Sequence, residues 1–129
     1  MNYNNYNNYY FETLIRPDII CPISLSIMVD PVIAADGHTY ERLYIEKWFI
    51  KSNNSPKTNK VLHNKKLISN YNLKSIISCI IKNSSDDNLI KEYNYIKKIY
   101  SNEKKNKNNI IDNPEKKRLD MLFDLGILL

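Results

Sequence analysis

The segment CPISLSIMVDPVIAADGHTYER, residues 21–42, concentrates side chains that can bind a metal ion or react. It begins with Cys21 and contains His38 and two aspartates. Structural zinc sites use four Cys or His ligands, usually in close pairs. Cys21 is followed by Pro-Ile-Ser, so the close pair is missing, and the other candidates, His63 and Cys79, occur singly. A site made from these four scattered residues is the weaker alternative, and the sequence favours no metal and no cofactor.

Cys21 is also a candidate nucleophile. A reactive thiolate needs a nearby base or a helix N-terminus, and the flanking sequences IIC and PIS supply neither. We therefore interpret Cys21 as a partly buried small residue at the start of a domain. Cys79 lies between Ile76 and Ile80 on an expected apolar helix face. Small cysteines are commonly buried, so we interpret it in the same way.

Local patterns predict the elements that position these side chains. PVIAADGHTY predicts strand, turn and strand, with Asp36-Gly37 as the hairpin turn. ERLYIEKWFIK predicts a helix with an apolar stripe, and Glu41 can cap or complement its first turn. The Ser/Asn-rich residues 52–66 predict a loop. The helix stripe consists of Ile45, Trp48 and Phe49.

Further helices are predicted after this loop. Asn70 is suited to cap a helix over residues 71–82, which carries a full apolar face. LIKEYNYIKKIYSNEKK also has helical periodicity. Leu119, Leu122 and Phe123 share one helical face near the end of the chain. The first two faces consist of Leu73, Ile76, Ile77, Ile80 and Ile81, and of Leu89, Tyr93, Ile96 and Tyr100.

The chain of 129 residues fits one domain with tails. We expect a low-complexity Tyr/Asn tail over residues 1–15, disordered over 1–12, then an ordered domain over 16–82 and a helical extension over 83–129. There is no signal peptide, no disulfide framework and no apolar run of about 18 residues. The expected location is therefore cytoplasmic or nuclear, away from membranes. The net charge of +5 comes from scattered lysines, which argues against nucleic-acid binding.

Three stretches together, CPISLSIMVDPVIAADGHTYERLYIEKWF, SPKTNKVL and LISNYNLKSII, strongly resemble the U-box, the zinc-free relative of the RING domain in ubiquitin ligases. The resemblance runs from about Asp18 to Lys82, roughly half of the chain. Several independent segments occur in the right order and spacing, which is more specific than any short motif. It implies a small α+β, RING-like fold of loop, β-hairpin, central helix, second loop and C-terminal helix.

U-box domains hold the RING-like cross-brace with hydrogen bonds, ion pairs and packing in place of zinc. The resemblance therefore implies a structural polar network. Because a half-satisfied buried network is costly, we expect most of its members to find partners. The candidates are Ser24, Asp30, Asp36, Thr39, Glu41, Arg42, Ser55, Thr58 and Asn59.

The resemblance also implies a function. U-box ligases bind a ubiquitin-charged conjugating enzyme and hold it in a reactive arrangement while a substrate lysine attacks, so catalysis comes from orientation and proximity. The family's docking groove maps onto Ile23 and Leu25 in the first loop, Trp48 in the central helix and Pro56 in the second loop. The alternation in ISL would place Ile23 and Leu25 on one face. The alternative for both, and for Trp48, is packing in the core.

The sequence departs from the family pattern at one docking position. Many members have a basic residue just after PxT that helps hold the ubiquitin, and here that residue is Asn59. Asn donates hydrogen bonds but lacks the fixed charge and fork of Arg. The alternative to a ligase is therefore a U-box that binds a partner without productive transfer.

The residues beyond the U-box resemblance contain no recognisable substrate-binding domain, and residues 89–129 are too short for a repeat array. RLDMLFDLGILL is either packed on the domain or a partner-docking or self-association segment. The expected partners are a ubiquitin-conjugating enzyme, ubiquitin and a protein substrate of unknown identity. A homodimer is a further possibility, since many relatives dimerise.

Overall fold

The computed structural model describes residues 8–107 and Leu122. Residues 8–10 are helical and continue through a π-helical turn, Phe11–Ile15, into the short helix α1, Arg16–Ile19. The expectation of disorder over residues 1–12 is therefore wrong for residues 8–12, while residues 1–7 lie outside the described residues. Residues 2–10 consist only of Asn and Tyr and have no helical periodicity, so the sequence contained no sign that residues 8–10 are helical.

A three-stranded antiparallel sheet follows, with strand order β2-β1-β3. Its strands are β1 (Pro31–Ile33), β2 (Thr39–Glu41) and β3 (Ile68–Ser69). In β1, Val32 lies opposite Tyr40 on one side and Ser69 on the other. The hairpin is confirmed, and its turn requires Gly37, whose φ of 77° suits glycine. The two-residue strand β3 was not predicted, because so short a segment has no measurable alternation.

Three longer helices complete the fold: α2 (Arg42–Lys51), α3 (Tyr71–Asn83) and α4 (Asp87–Asn106). The Asn70 cap is confirmed, since its Oδ1 accepts a hydrogen bond from the Leu73 amide at 3.2 Å. Asp86 caps α4 in the same way. None of the helices in the described part of the chain is long and apolar enough to cross a bilayer.

The core combines the loop between α1 and β1, the sheet and helices α2, α3 and α4. Helix α4 contributes four buried residues, so the described part of the expected C-terminal extension packs on the rest of the domain. Its predicted helical face is confirmed, with Ile99 in addition. The most deeply buried residues include Ile19, Cys21, Val32, Tyr40, Ile45 and Ile77.

The apolar face of α3 is less buried than the sequence predicted. Only Ile77 on this helix is fully buried, and Ile76 is 53% exposed. The interpretation of Cys79 as buried is wrong, because its side chain is exposed. Cys79 lies two residues from Ile77, or about 200° around the helix, so it faces away from the core. The predicted face around Leu119 lies outside the described residues, apart from Leu122.

Candidate functional site: two loops braced by a polar network

The first loop, residues 20–28, folds around Cys21. The Cys21 amide donates to the Ser26 carbonyl at 2.9 Å, and the Leu25 amide donates to the Cys21 carbonyl at 2.9 Å. The thiol Sγ lies near the amides of Ile23 and Glu41 at 3.4 and 3.3 Å and accepts a weak hydrogen bond from each. The side chain is completely buried, which confirms a structural role. Cys21 therefore ties the first loop to the end of β2.

Leu25 stands out in this loop. Its side chain is 75% exposed, and its backbone has a φ of 58°. A left-handed conformation costs a non-glycine residue about 1–2 kcal/mol. Strain of this kind persists only where the surroundings enforce it, and it is a pointer to function. Ile23 is only 4% exposed, so the expectation that the alternation in ISL places it on one face with Leu25 is wrong. The turn around Cys21 breaks the strand-like alternation on which that expectation depended.

The second loop, residues 52–66, is organised by Ser55. The Ser55 amide donates to the Lys60 carbonyl, and the Ser55 Oγ accepts from the amides of Lys57 and Thr58 at 3.2 and 3.0 Å. The same hydroxyl donates to Asp36 Oδ2 at 2.6 Å. Ser55 is 1% exposed, so this contact joins the loop to the hairpin turn inside the domain.

Asp36 receives three hydrogen bonds. Its Oδ2 accepts from Tyr40 and Ser55, each at 2.6 Å, and its Oδ1 accepts from the His38 amide at 2.9 Å. Burial alone would raise the pKa of Asp36, but these hydrogen bonds and the nearby His38 outweigh it and lower the pKa overall. Asp36 is therefore an ionised hub that connects the hairpin with the second loop.

Of the three other docking candidates, Pro56 and Asn59 lie in the second loop and Trp48 precedes it on α2. Trp48 is half-buried, and its Nε1 donates to the Asn54 carbonyl at 2.7 Å, so the ring also fixes the start of this loop. Pro56 is partly exposed. Asn59 is exposed and has a φ of 60°, a conformation that Asn tolerates better than most residues. Leu25 and Asn59, one in each loop, are the two non-glycine residues with positive φ in the described chain.

The Glu41 carboxylate forms a second hub, and it lies almost entirely inside the domain at 1% exposure. Its Oε2 accepts from the Val29 amide at 2.6 Å, and its Oε1 accepts from the Asp30 amide at 2.9 Å and from the Tyr100 hydroxyl. The expectation that it caps α2 is corrected: Glu41 occupies the N-cap position but makes no capping hydrogen bond. Its side chain instead holds the backbone that follows the first loop.

Burial raises the pKa values of both Glu41 and Tyr100. Loss of water around Glu41 raises its pKa, although the hydrogen bonds from Tyr100, Val29 and Asp30 act in the opposite direction. The pKa of Tyr100 is also raised, first by burial and then by the neighbouring Glu41 charge. Tyr100 therefore stays a hydrogen-bond donor across the working pH range.

An ion pair joins the first loop's exit to the sheet. Arg42 Nε contacts Asp30 Oδ2 at 2.8 Å, and its terminal nitrogen donates to Ser69 Oγ at 2.8 Å. The Arg42 amide also donates to the Asp30 carbonyl. This cluster connects the start of α2 with β3.

The candidate polar network thus separates into three groups of contacts, which are centred on Asp36, Glu41 and Asp30. Thr58 Oγ1 accepts only locally, from Lys60, and Ser24 Oγ only from Ser26. The sequence reasoning missed other participants, whose partners are mostly distant in the chain: Cys21 Sγ, Tyr40, Asn54, Ser69 and Tyr100. For Tyr100, its place on the apolar face of α4 was the one available signal.

Polar satisfaction is complete in the described part of the chain. Every buried side-chain nitrogen and oxygen atom there has a hydrogen-bond partner, as the sequence analysis expected for most of the network. Among residues 8–107 and Leu122, no three His, Cys, Asp or Glu side chains are grouped to hold a metal ion. Hydrogen bonds within the chain hold both loops.

Comparisons with known proteins agree with this architecture. A family model described as the U-box domain matches residues 15–86. U-box domain-containing protein 11 of Arabidopsis thaliana is 52% identical over 62 residues, 47% of this chain and 10% of that protein. U-box domain-containing protein 19 of the same plant is 47% identical over 66 residues, 50% of this chain and 10% of that protein. This chain therefore covers about a tenth of the length of these relatives.

Proposed function

Because the chain belongs to the U-box domain family, whose members are generally ubiquitin ligases that work with ubiquitin-conjugating enzymes, we propose that it is a ubiquitin ligase. In this proposal a ubiquitin-charged conjugating enzyme docks on the two-loop surface, and ubiquitin passes to a substrate lysine. The two-loop surface consists of Leu25, Trp48, Pro56 and Asn59, and the buried Ile23 lies in the same loop as Leu25. The chain contributes position and orientation and carries no ubiquitin itself.

The conformation of Leu25 is the observation that carries the proposal. An apolar side chain that is 75% exposed gains nothing from the core, and its φ of 58° costs the fold stability. At a binding position the partner buries such an apolar side chain, and this burial offsets the costs of exposure and backbone strain. The turn hydrogen bonds around Cys21 enforce this arrangement before any partner arrives, which lowers the entropy lost on binding.

The second loop supports the same function. Trp residues are enriched at protein interfaces. The Trp48 indole is already held by the Asn54 carbonyl, and Ser55 holds the turn that contains Pro56 and Asn59. Two loops held in place by internal hydrogen bonds suit the recognition of a folded partner.

We expect Leu25→Asn to lower ubiquitin-ladder formation at least tenfold and at the same time to stabilise the domain slightly. Asn loses the apolar anchor but fits a left-handed backbone better than Leu does. The measurement is a reconstituted assay with activating enzyme, a panel of conjugating enzymes, ubiquitin and ATP, paired with thermal unfolding. Activity and stability should move in opposite directions.

Ile76→Gln is the matched control, because Ile76 is also an exposed apolar residue but lies on α3, outside both loops. It should leave the ladders unchanged. Ile23→Ala is a poorer test, because Ile23 is buried. The variant would leave a cavity in the core, so loss of docking could not be separated from loss of stability. If Leu25→Asn retains full activity, the first loop is not the docking site; if no conjugating enzyme binds or gives a ladder, the ligase proposal fails.

Asn59→Arg should raise ligase turnover several-fold, because the guanidinium adds the charge and fork that the family often uses to hold ubiquitin. The left-handed backbone at Asn59 imposes a cost of about 1 kcal/mol on the new residue. Asn59→Ala carries the same backbone cost without the charge and serves as the control. Equal turnover in the two variants, under saturating conjugating enzyme, would show that charge at this position is unimportant.

A non-catalytic U-box interaction module is the second candidate, and the uncharged Asn59 side chain favours it. This candidate predicts that a conjugating enzyme is retained by the immobilised chain but that no ladder forms. It also predicts that Leu25→Asn abolishes retention. Measuring retention and ladder formation on the same panel separates the two functions.

A further inference from the structure

We propose that helix α4 sets the geometry of the first loop and that Tyr100 is the positioning residue through which it acts. The effect on conjugating-enzyme binding rests on the proposed function. The support of the first loop by Tyr100 rests on hydrogen bonds alone. Helix α4 begins at Asp87, just beyond the segment matched by the family model, residues 15–86. The first loop would therefore depend on a part of the chain that lies outside the recognised domain.

A continuous series of contacts connects the helix with the loop. The Tyr100 hydroxyl donates to Glu41, whose carboxylate accepts the amides of Val29 and Asp30 directly after the loop. The Glu41 amide in turn donates to Cys21 Sγ, around which the loop folds. Every link is a hydrogen bond within a buried or partly buried region, where such bonds are strongest.

Tyr100 performs two tasks in this series. Its hydroxyl donates to Glu41 and accepts from the Leu43 amide at 3.0 Å, so it also satisfies an N–H in the first turn of α2. One oxygen atom thus bridges the end of β2 and the start of α2.

The apolar residues of α4 provide the means to hold Tyr100 in place. Leu89, Tyr93, Ile96 and Ile99 are buried on the same side of the helix. Their packing fixes the helix on the domain and so brings the hydroxyl to Glu41. Displacement of α4 would remove that contact and leave Glu41 with its two backbone donors. The first loop, and with it the strained Leu25, would then be less firmly held.

The test compares Tyr100→Phe with Ile99→Val in the full chain. The first variant removes only the hydroxyl, and the second removes one methyl group from the same buried face of α4. Amide hydrogen exchange is measured residue by residue. For Tyr100→Phe we expect exchange at least tenfold faster at Ile23, Leu25 and the two amides bound by Glu41. The second-loop amides held by Ser55 should change only as much as the global stability does.

Ile99→Val should accelerate exchange evenly across the domain, because it weakens packing without touching the hydrogen-bond series. A uniform pattern for Tyr100→Phe as well would reduce α4 to a packing element and overturn the proposal. The docking readout is binding to whichever conjugating enzyme the wild-type chain retains. Tyr100→Phe should weaken it about fivefold and Ile99→Val by less than twofold. If the wild type retains none, the proposed function fails, but the exchange patterns still decide the role of Tyr100.

Discussion

Glu41→Gln is expected to destabilise the domain by about 3 kcal/mol. Glutamine has the same shape but replaces one oxygen with an NH₂ group. In either orientation of the amide, that group would face a backbone N–H, from Val29 or from Asp30. Buried donors left without an acceptor cost far more than the bond they lose.

Urea unfolding of the full chain measures this effect, with Glu46→Gln as the control. Glu46 lies on α2, and its side chain is 56% exposed with a long contact of 4.0 Å to Arg42. Exposed pairs of this kind contribute little, so the control should change stability by less than about 0.5 kcal/mol. Similar values for the two variants would show that Glu41 does not support the first loop.

Asp36→Asn is expected to cost about 1–2 kcal/mol at neutral pH and less in acid. Asn keeps an acceptor for the His38 amide but turns a donor toward Ser55 and Tyr40, which at present both donate to the carboxylate. Both hydroxyls must then rotate. Ser55 already accepts two backbone amides in the second loop, so its geometry suffers most.

The pH dependence follows from the lowered pKa of Asp36. A carboxyl group whose pKa is depressed by folding contributes stability above its unfolded value, about 3.9, and loses it as pH falls through the folded pKa. Asn does not titrate. The difference in unfolding free energy between wild type and Asp36→Asn should therefore be constant from pH 7 to about 5 and shrink below pH 4. Asp18→Asn, at an exposed carboxylate, is the control; a gap that stays constant down to pH 3 would contradict the role assigned to Asp36.

The Glu41 and Asp36 variants test the support of the first and the second loop separately. Glu41 supports the backbone after the first loop, whereas Asp36 supports the second loop through Ser55. If the proposed docking surface needs both loops, each variant should lower ligase activity. The loss should grow with the extent to which the variant destabilises its loop. The contacts around Cys21 and Ser55 are separate, so the two effects on stability should be nearly additive.

Short-range features of this protein were determined by the sequence itself. The Asp36-Gly37 turn, the Asn70 cap and the periodicity of α4 each involve residues two to four positions apart, and all are confirmed. Local hydrogen bonds and side-chain spacing are sufficient to specify such features. The resemblance of the motifs also identified the family and located the candidate loops. The docking roles of the loop residues stay predictions.

Only the tertiary structure decided which side chains serve the core, the network or the surface. Ile23 and Leu25 have the same chemistry and lie two residues apart, but the turn around Cys21 buries one and exposes the other. Cys79 is apolar enough for the core but lies on the wrong side of α3. Tyr100 meets Glu41 across 59 positions of sequence, a pairing that no local pattern contains. Because a buried carboxylate must find donors wherever the packing brings them, its partners are a property of the folded chain.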